Sequence, residues 1–198
     1  MARIAQLACL LALPGTAMAC PTSADLDTGV RFELASGEWE TFRRISDAVI
    51  EATFYYEPGE ATQVSLSQGI YILSIIEVES NALVPSTRET FTYPLRPGEM
   101  PDPAGGGGWN VEATLLSSGG LDREIQSYTF GTSRRQGYGA CFYEMIPITY
   151  RYRLEGEEET GTDELHYLPE LGISYLAASR GNDYDDRYDY VSIKALEP

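Results

Sequence analysis

The chain has 198 residues, 43% of them hydrophobic, and a formal net charge of −16. That length accommodates one domain, or two small ones, around a core of ordinary size. The acidic balance excludes nucleic acid as an expected partner, because a phosphate backbone would be repelled, and it disfavours anionic lipid headgroups for the same reason.

The first element in chain order is a leader. Met1-Ala2-Arg3 supplies one positive charge, Ile4 to Leu13 is apolar, Pro14-Gly15 breaks any helix, and Ala17-Met18-Ala19 has the small-x-small form of a cleavage site. Residues 1–19 therefore read as a secretory signal peptide. The apolar run is shorter than the roughly 20 residues of a membrane-spanning helix. No later run reaches that length, so the mature chain is expected to be periplasmic or extracellular, with no transmembrane segment. Loss of Arg3 makes it one unit more negative.

The sequence contains three cysteines. Cys9 leaves with the leader, and the remaining pair, Cys20 and Cys141, is expected to form one disulfide in an oxidising compartment. Cys20 also stands directly after the cut, where bacterial lipoproteins carry their lipid. A lipid anchor on Cys20, in the outer or inner membrane, is thus the alternative. Ala19 suits that cleavage, whereas Met18 and Ala17 do not. Neither cysteine lies in a C-x-x-C pair, which argues against redox catalysis and a zinc cluster.

Strand patterns follow. Val30 to Leu34 alternates, and Ser36-Gly37 turns. Glu38 to Ile45 continues more weakly, and Val49 to Tyr56 is β-branched and aromatic. Residues 41–52 also place Phe42, Ile45 and Val49 at helical spacing, but strand is the preferred reading. Ile70 to Val78 is apolar on both alternating faces, as in a strand covered on both sides. Pro94, Pro97, Pro101 and Pro103 lead into Gly105 to Gly108, a stretch suited to neither helix nor central strand. It separates a first half, residues 20–93, from a second, residues 109–198. The two are expected to build one domain.

In the second half, Val111 to Leu116, Leu121 to Phe130, Ala140 to Arg153, Glu164 to Leu168, Ile173 to Ala178 and Tyr188 to Leu196 read as strands. Pro147 requires an edge position or a bulge. Strands at this spacing with Gly and Pro turns predict an all-β fold: an antiparallel meander, as a curved sheet or an open barrel or sandwich, with little helix outside the leader. The 14 tyrosines fit half-wet sheet faces. Arg31 to Thr41 echoes Arg151 to Thr160 with one gap, which shared hairpin chemistry or a duplication would produce.

Candidate chemistry is sparse. His166 is the single histidine, lies in a strand-like run, and reads as structural. No G-x-S-x-G elbow occurs. Asp183, Asp185 and Asp189 offer closely spaced carboxylates for calcium, although the EF-hand glycine and terminal glutamate are missing. No cofactor is expected. Trp39, Trp109 and the tyrosines could stack on sugars, but they read more simply as core.

Cys141-Phe142-Tyr143, the strand Tyr150 to Arg153 and the run Tyr167 to Gly172 together resemble uncharacterised exported β-rich proteins of Gram-negative bacteria. The resemblance implies a periplasmic meander-like sheet and transfers no catalytic residue. The expected role is a non-catalytic, envelope-associated binding or scaffold protein. The alternative is a periplasmic carrier of an apolar ligand on a curved sheet, and an extracytoplasmic hydrolase is the third reading.

Overall fold

The fold is described from a computed structural model over residues 19–158 and 161–197. The leader, save its last residue, lies outside the described residues. Fifteen strands form one antiparallel sheet, and among the described residues the helical elements are three short 3-10 turns.

The first hairpins follow the alternation of the sequence. Strand β1 (Val30–Leu34) buries Val30, Phe32 and Leu34, and pairs with β2 (Trp39–Ser46) across the Ser36-Gly37 turn. Residues 41–52 contain β2, a turn at Asp47-Ala48 and the start of β3 (Val49–Glu57) rather than a helix. Ile45 stays 57% exposed, so its helical spacing from Phe42 had no buried face to serve. Strands β4 (Glu60–Ser67) and β5 (Tyr71–Glu79) continue the meander. Strand β5 is apolar on both faces for a reason: Ile72 and Ile75 face inward, while Ile76 is buried on the opposite side.

The short β6 (Ala82–Leu83) and β7 (Glu89–Thr92) both pair with β5. The Pro/Gly-rich segment then loops out. It ends two residues earlier than its composition suggested, because Gly107 and Gly108 already belong to β8 (Gly107–Ser117). A Cβ on Gly108 would lie 2.3 Å from the Tyr128 carbonyl oxygen, so glycine there lets two backbones touch. Strand β8 pairs with β7 and with β9 (Gly120–Phe130), so the sheet runs unbroken across the proline-rich segment.

Strand β10 (Arg134–Tyr138) folds onto the first residues of β11 (Cys141–Leu154), whose later residues pair with β9 and with β12 (Gly161–Leu168). Met145 and Ile146 are both buried, so the inward alternation of β11 changes phase immediately before Pro147. Strand β13 (Ile173–Arg180) and the three-residue β14 (Asp185–Arg187) extend this side. The last strand, β15 (Tyr190–Ala195), crosses to the far edge and pairs with β1.

Strands β14 and β15 are thus the two edges of the sheet, yet only Tyr188 and Asp189 separate them in sequence. The Tyr188 N–H still donates to Ala177 on β13, and the Asp189 carbonyl already accepts from Ala35 beyond β1. The sheet therefore curls until its edges meet at a two-residue step, and it remains an open ladder. Its inner faces form two clusters. One gathers Phe32, Phe42, Tyr138, Tyr143, Met145 and Tyr175 near the disulfide. The other gathers Tyr71, Phe91, Val111, Tyr128, Ile148 and Tyr150. Ile72 packs against both.

Candidate functional site

The sulfurs of Cys20 and Cys141 are bonded, with Cα atoms 5.5 Å apart across 121 residues of sequence. Beside this bond the Tyr143 hydroxyl donates to the Pro21 carbonyl at 2.7 Å. The start of the described chain is therefore fixed to β11 twice. One sulfur cannot carry both a disulfide and a thioether-linked lipid, so the two readings of Cys20 exclude each other.

His166 lies on β12, and its ring nitrogens meet the Tyr175 hydroxyl at 2.8 Å and the Glu164 carboxylate at 3.3 Å. Tyr175 continues to Tyr138, 2.6 Å between hydroxyl oxygens. Burial lowers the His166 pKa. These contacts tie β12, β13 and β10 together. A serine or cysteine nucleophile is not among them, and the sulfur of Cys141 is already bonded to Cys20.

The expected calcium candidates lie around the short strand β14: Asp185 is its first residue, Asp183 precedes it and Asp189 follows it. The Asp185 carboxylate is neutralised by Arg180 at 3.1 Å and approached by Arg187 at 3.9 Å. Asp189 contributes its backbone carbonyl at the two-residue step. Among the described residues no group of three or more His, Cys, Asp or Glu side chains gathers to hold a metal. A carboxylate already paired with arginine is a poor ligand for a hard cation that needs several free oxygens.

The distinctive site is a cavity of about 330 Å³ inside the curled sheet. Its walls come from β2–β5 on one side and from β9, β11, β12 and β13 on the other, with Tyr188 and Tyr190 at the step between edges. Ala52, Phe54, Val64, Leu66, Ile72 and Leu165 give most of it an apolar surface. A larger depression of about 410 Å³ exists on the opposite face of β2–β4. Thr41, Arg43, Glu51, Thr53 and Gln63 line that one, in the outward phase of the same strands, as an ordinary polar surface groove.

Two carboxylates interrupt the apolar lining. Glu40 has intermediate accessible surface but sits deep among protein atoms. Burial pushes its carboxyl up to about 7, against the hydrogen bond that the Tyr190 hydroxyl donates to Oε2 at 2.8 Å. Asp163 is likewise raised by burial, opposed by the Ser179 hydroxyl 2.6 Å from Oδ1. Behind the wall, Glu124 is 6% exposed and raised by burial. It accepts from Gln126 at 2.7 Å and from Tyr150 at 3.0 Å, and Tyr128 donates to Gln126 at 2.9 Å. Desolvation disfavours the charged form of each of these acids.

Neither Glu40 nor Asp163 stands out in the sequence among 30 acidic residues. A signal does exist. Glu40 shares the inward phase of Phe42, and Asp163 that of Leu165, so each is an acid on the apolar phase of a strand.

No protein-family model matches the chain, and no curated protein matches it. Among solved structures, a protein of Parabacteroides distasonis described provisionally as a lipoprotein is similar over 91% of this chain and 100% of that one, at 13% identity and a TM-score of 0.37. A likeness that distant carries no argument about architecture or role.

Proposed function

We propose that this is an exported, non-enzymatic carrier that holds a small apolar ligand inside its curled sheet. The observation that carries this reading is the interior cavity of about 330 Å³ with its mainly apolar lining. Its size falls within the range of small-molecule sites, and its few polar groups converge on one space. Export is supported by the leader pattern of residues 1–19 and by the Cys20–Cys141 bond, a feature of oxidising compartments.

The test is displacement of an apolar fluorophore by octanol from the wild type and from Ala52→Phe, which places a ring in the cavity. Ala52 is 3% exposed and lines the site. The wild type is expected to bind, and the variant to lose binding while keeping its β-sheet circular dichroism. Equal binding by both would reject the interior site. Intact mass of the secreted protein separates the two states of Cys20: two hydrogens lighter than the reduced chain for the disulfide, or heavier by a lipid.

A further inference from the structure

We infer that the cavity selects an apolar molecule bearing a protonated amine, whose charge is met by Glu40 or Asp163 and whose body lies among the aliphatic and aromatic walls. This rests on the carrier reading and adds the chemical class of the ligand.

Three observations carry it. First, the ionisable lining consists of Glu40, Asp163 and tyrosines. Among the described residues no Lys, Arg or His side chain lines the cavity. Secondly, each carboxylate is half satisfied. Tyr190 donates to Glu40 Oε2 and Ser179 to Asp163 Oδ1. Only one oxygen of each is engaged by these bonds, and both residues line the cavity. Thirdly, aromatic rings line the same space: Tyr175, Tyr188, Tyr190 and Phe54 all border the cavity. A cation that reaches an open ring face is attracted by the ring quadrupole.

Energetics favour the same ligand. A buried carboxylate without a cation is costly and relieves the cost by taking up a proton. Burial raises both acids, as expected for sites that lack an internal counter-charge. A ligand ammonium beside either acid would supply that charge and donate to its carboxylate. An alcohol would supply one neutral hydrogen bond, and a carboxylate would be repelled.

The experiment compares n-octylamine, 1-octanol and octanoate by calorimetry at pH 8, where an alkylamine remains protonated. Octylamine is expected to bind about tenfold or more tightly than octanol, the worth of one charge-assisted hydrogen bond, and octanoate least tightly. Glu40→Gln keeps an acceptor for Tyr190 and is expected to shrink the amine preference by about tenfold while leaving octanol binding in place. Asp163→Asn serves as the second variant if the first fails to fold. Equal affinity for amine and alcohol, or preference for octanoate, would overturn the cation inference and leave the carrier reading standing. Failure of all three ligands to bind would overturn both.

Discussion

The two interior clusters solve the same problem in different ways. Both bury tyrosines, and a buried hydroxyl needs a partner. Near the disulfide most partners are neutral: Tyr138 meets Tyr175, Tyr175 meets His166, and Tyr143 donates to a backbone carbonyl, while Tyr190 at the cavity side of the cluster donates to Glu40. Around Tyr128 and Tyr150 the partners are an amide and an acid, Gln126 and Glu124. The neutral cluster is also bound covalently to the start of the described chain. The acid-bearing cluster lacks such a staple and forms one wall of the cavity. The first region is therefore stapled and mostly neutral, and it meets the cavity through Tyr175 and Tyr190; the second is unstapled and ties its tyrosines to a buried acid.

The difference predicts how each region fails. The largest effect is expected from replacing both Cys20 and Cys141 by serine. Opening a loop that spans 121 residues of sequence should lower stability by about 4–5 kcal/mol in the chain-entropy view. Urea denaturation measures the loss. Amide exchange should show β1 and β10 deprotected more than β8 and β9, and uniform deprotection would erase the distinction between the regions.

Next comes Glu40. Its folded pKa of about 7 lies above the ordinary value of 4.5, so the folded chain holds this proton more tightly than the unfolded chain. The stability it contributes is full below pH 4.5 and is lost as pH rises through 7. Glu40→Gln removes that loss. At pH 8 the variant should be more stable than wild type by about 2 kcal/mol, discounted from the full shift because part of the side chain is open to the cavity. At pH 4.5 the two should be equal. Thermal melts at both pH values check this, and a constant offset would show that titration is not the cause.

The smallest effects separate the hydroxyl networks directly. Tyr175→Phe breaks the links to both Tyr138 and His166 and should cost about 2 kcal/mol, whereas Tyr150→Phe removes one donor from Glu124 and should cost about 1 kcal/mol. Only the second should steepen the fall in stability with rising pH, because Glu124 would lose a bond that favours its charged form. Matching pH profiles from the two variants would undo the neutral-versus-acid contrast.

The strands legible in the sequence were those whose alternation is strongly apolar, such as Val30–Leu34 and Val111 to Leu116. Strand β4 escaped because Thr62, Val64 and Leu66 face inward between Gln63 and Ser65, a correct phase carried by weak residues. Strand β10 has the sequence Arg-Arg-Gln-Gly-Tyr, with only Tyr138 buried, and exists by virtue of its partner β11. The cavity was illegible for a geometric reason. Tyr190 and Glu40 are 150 residues apart, and they meet only because β15 returns to pair with β1, the neighbour of β2. Proximity in sequence likewise says nothing of Arg180, which the pairing of β13 with β14 brings to Asp185.

The step at Tyr188-Asp189 has a consequence for the order of assembly. Strand β1 gains its second neighbour only from β15, so it stays half-paired until residues 190–195 have been made. A chain emerging N-terminus first can build the hairpins β2 to β13 as it appears, but it cannot seal the interior. Closure is a single late event of high contact order, and it should set the folding rate. Until then the inner faces are open to whatever is dissolved around them.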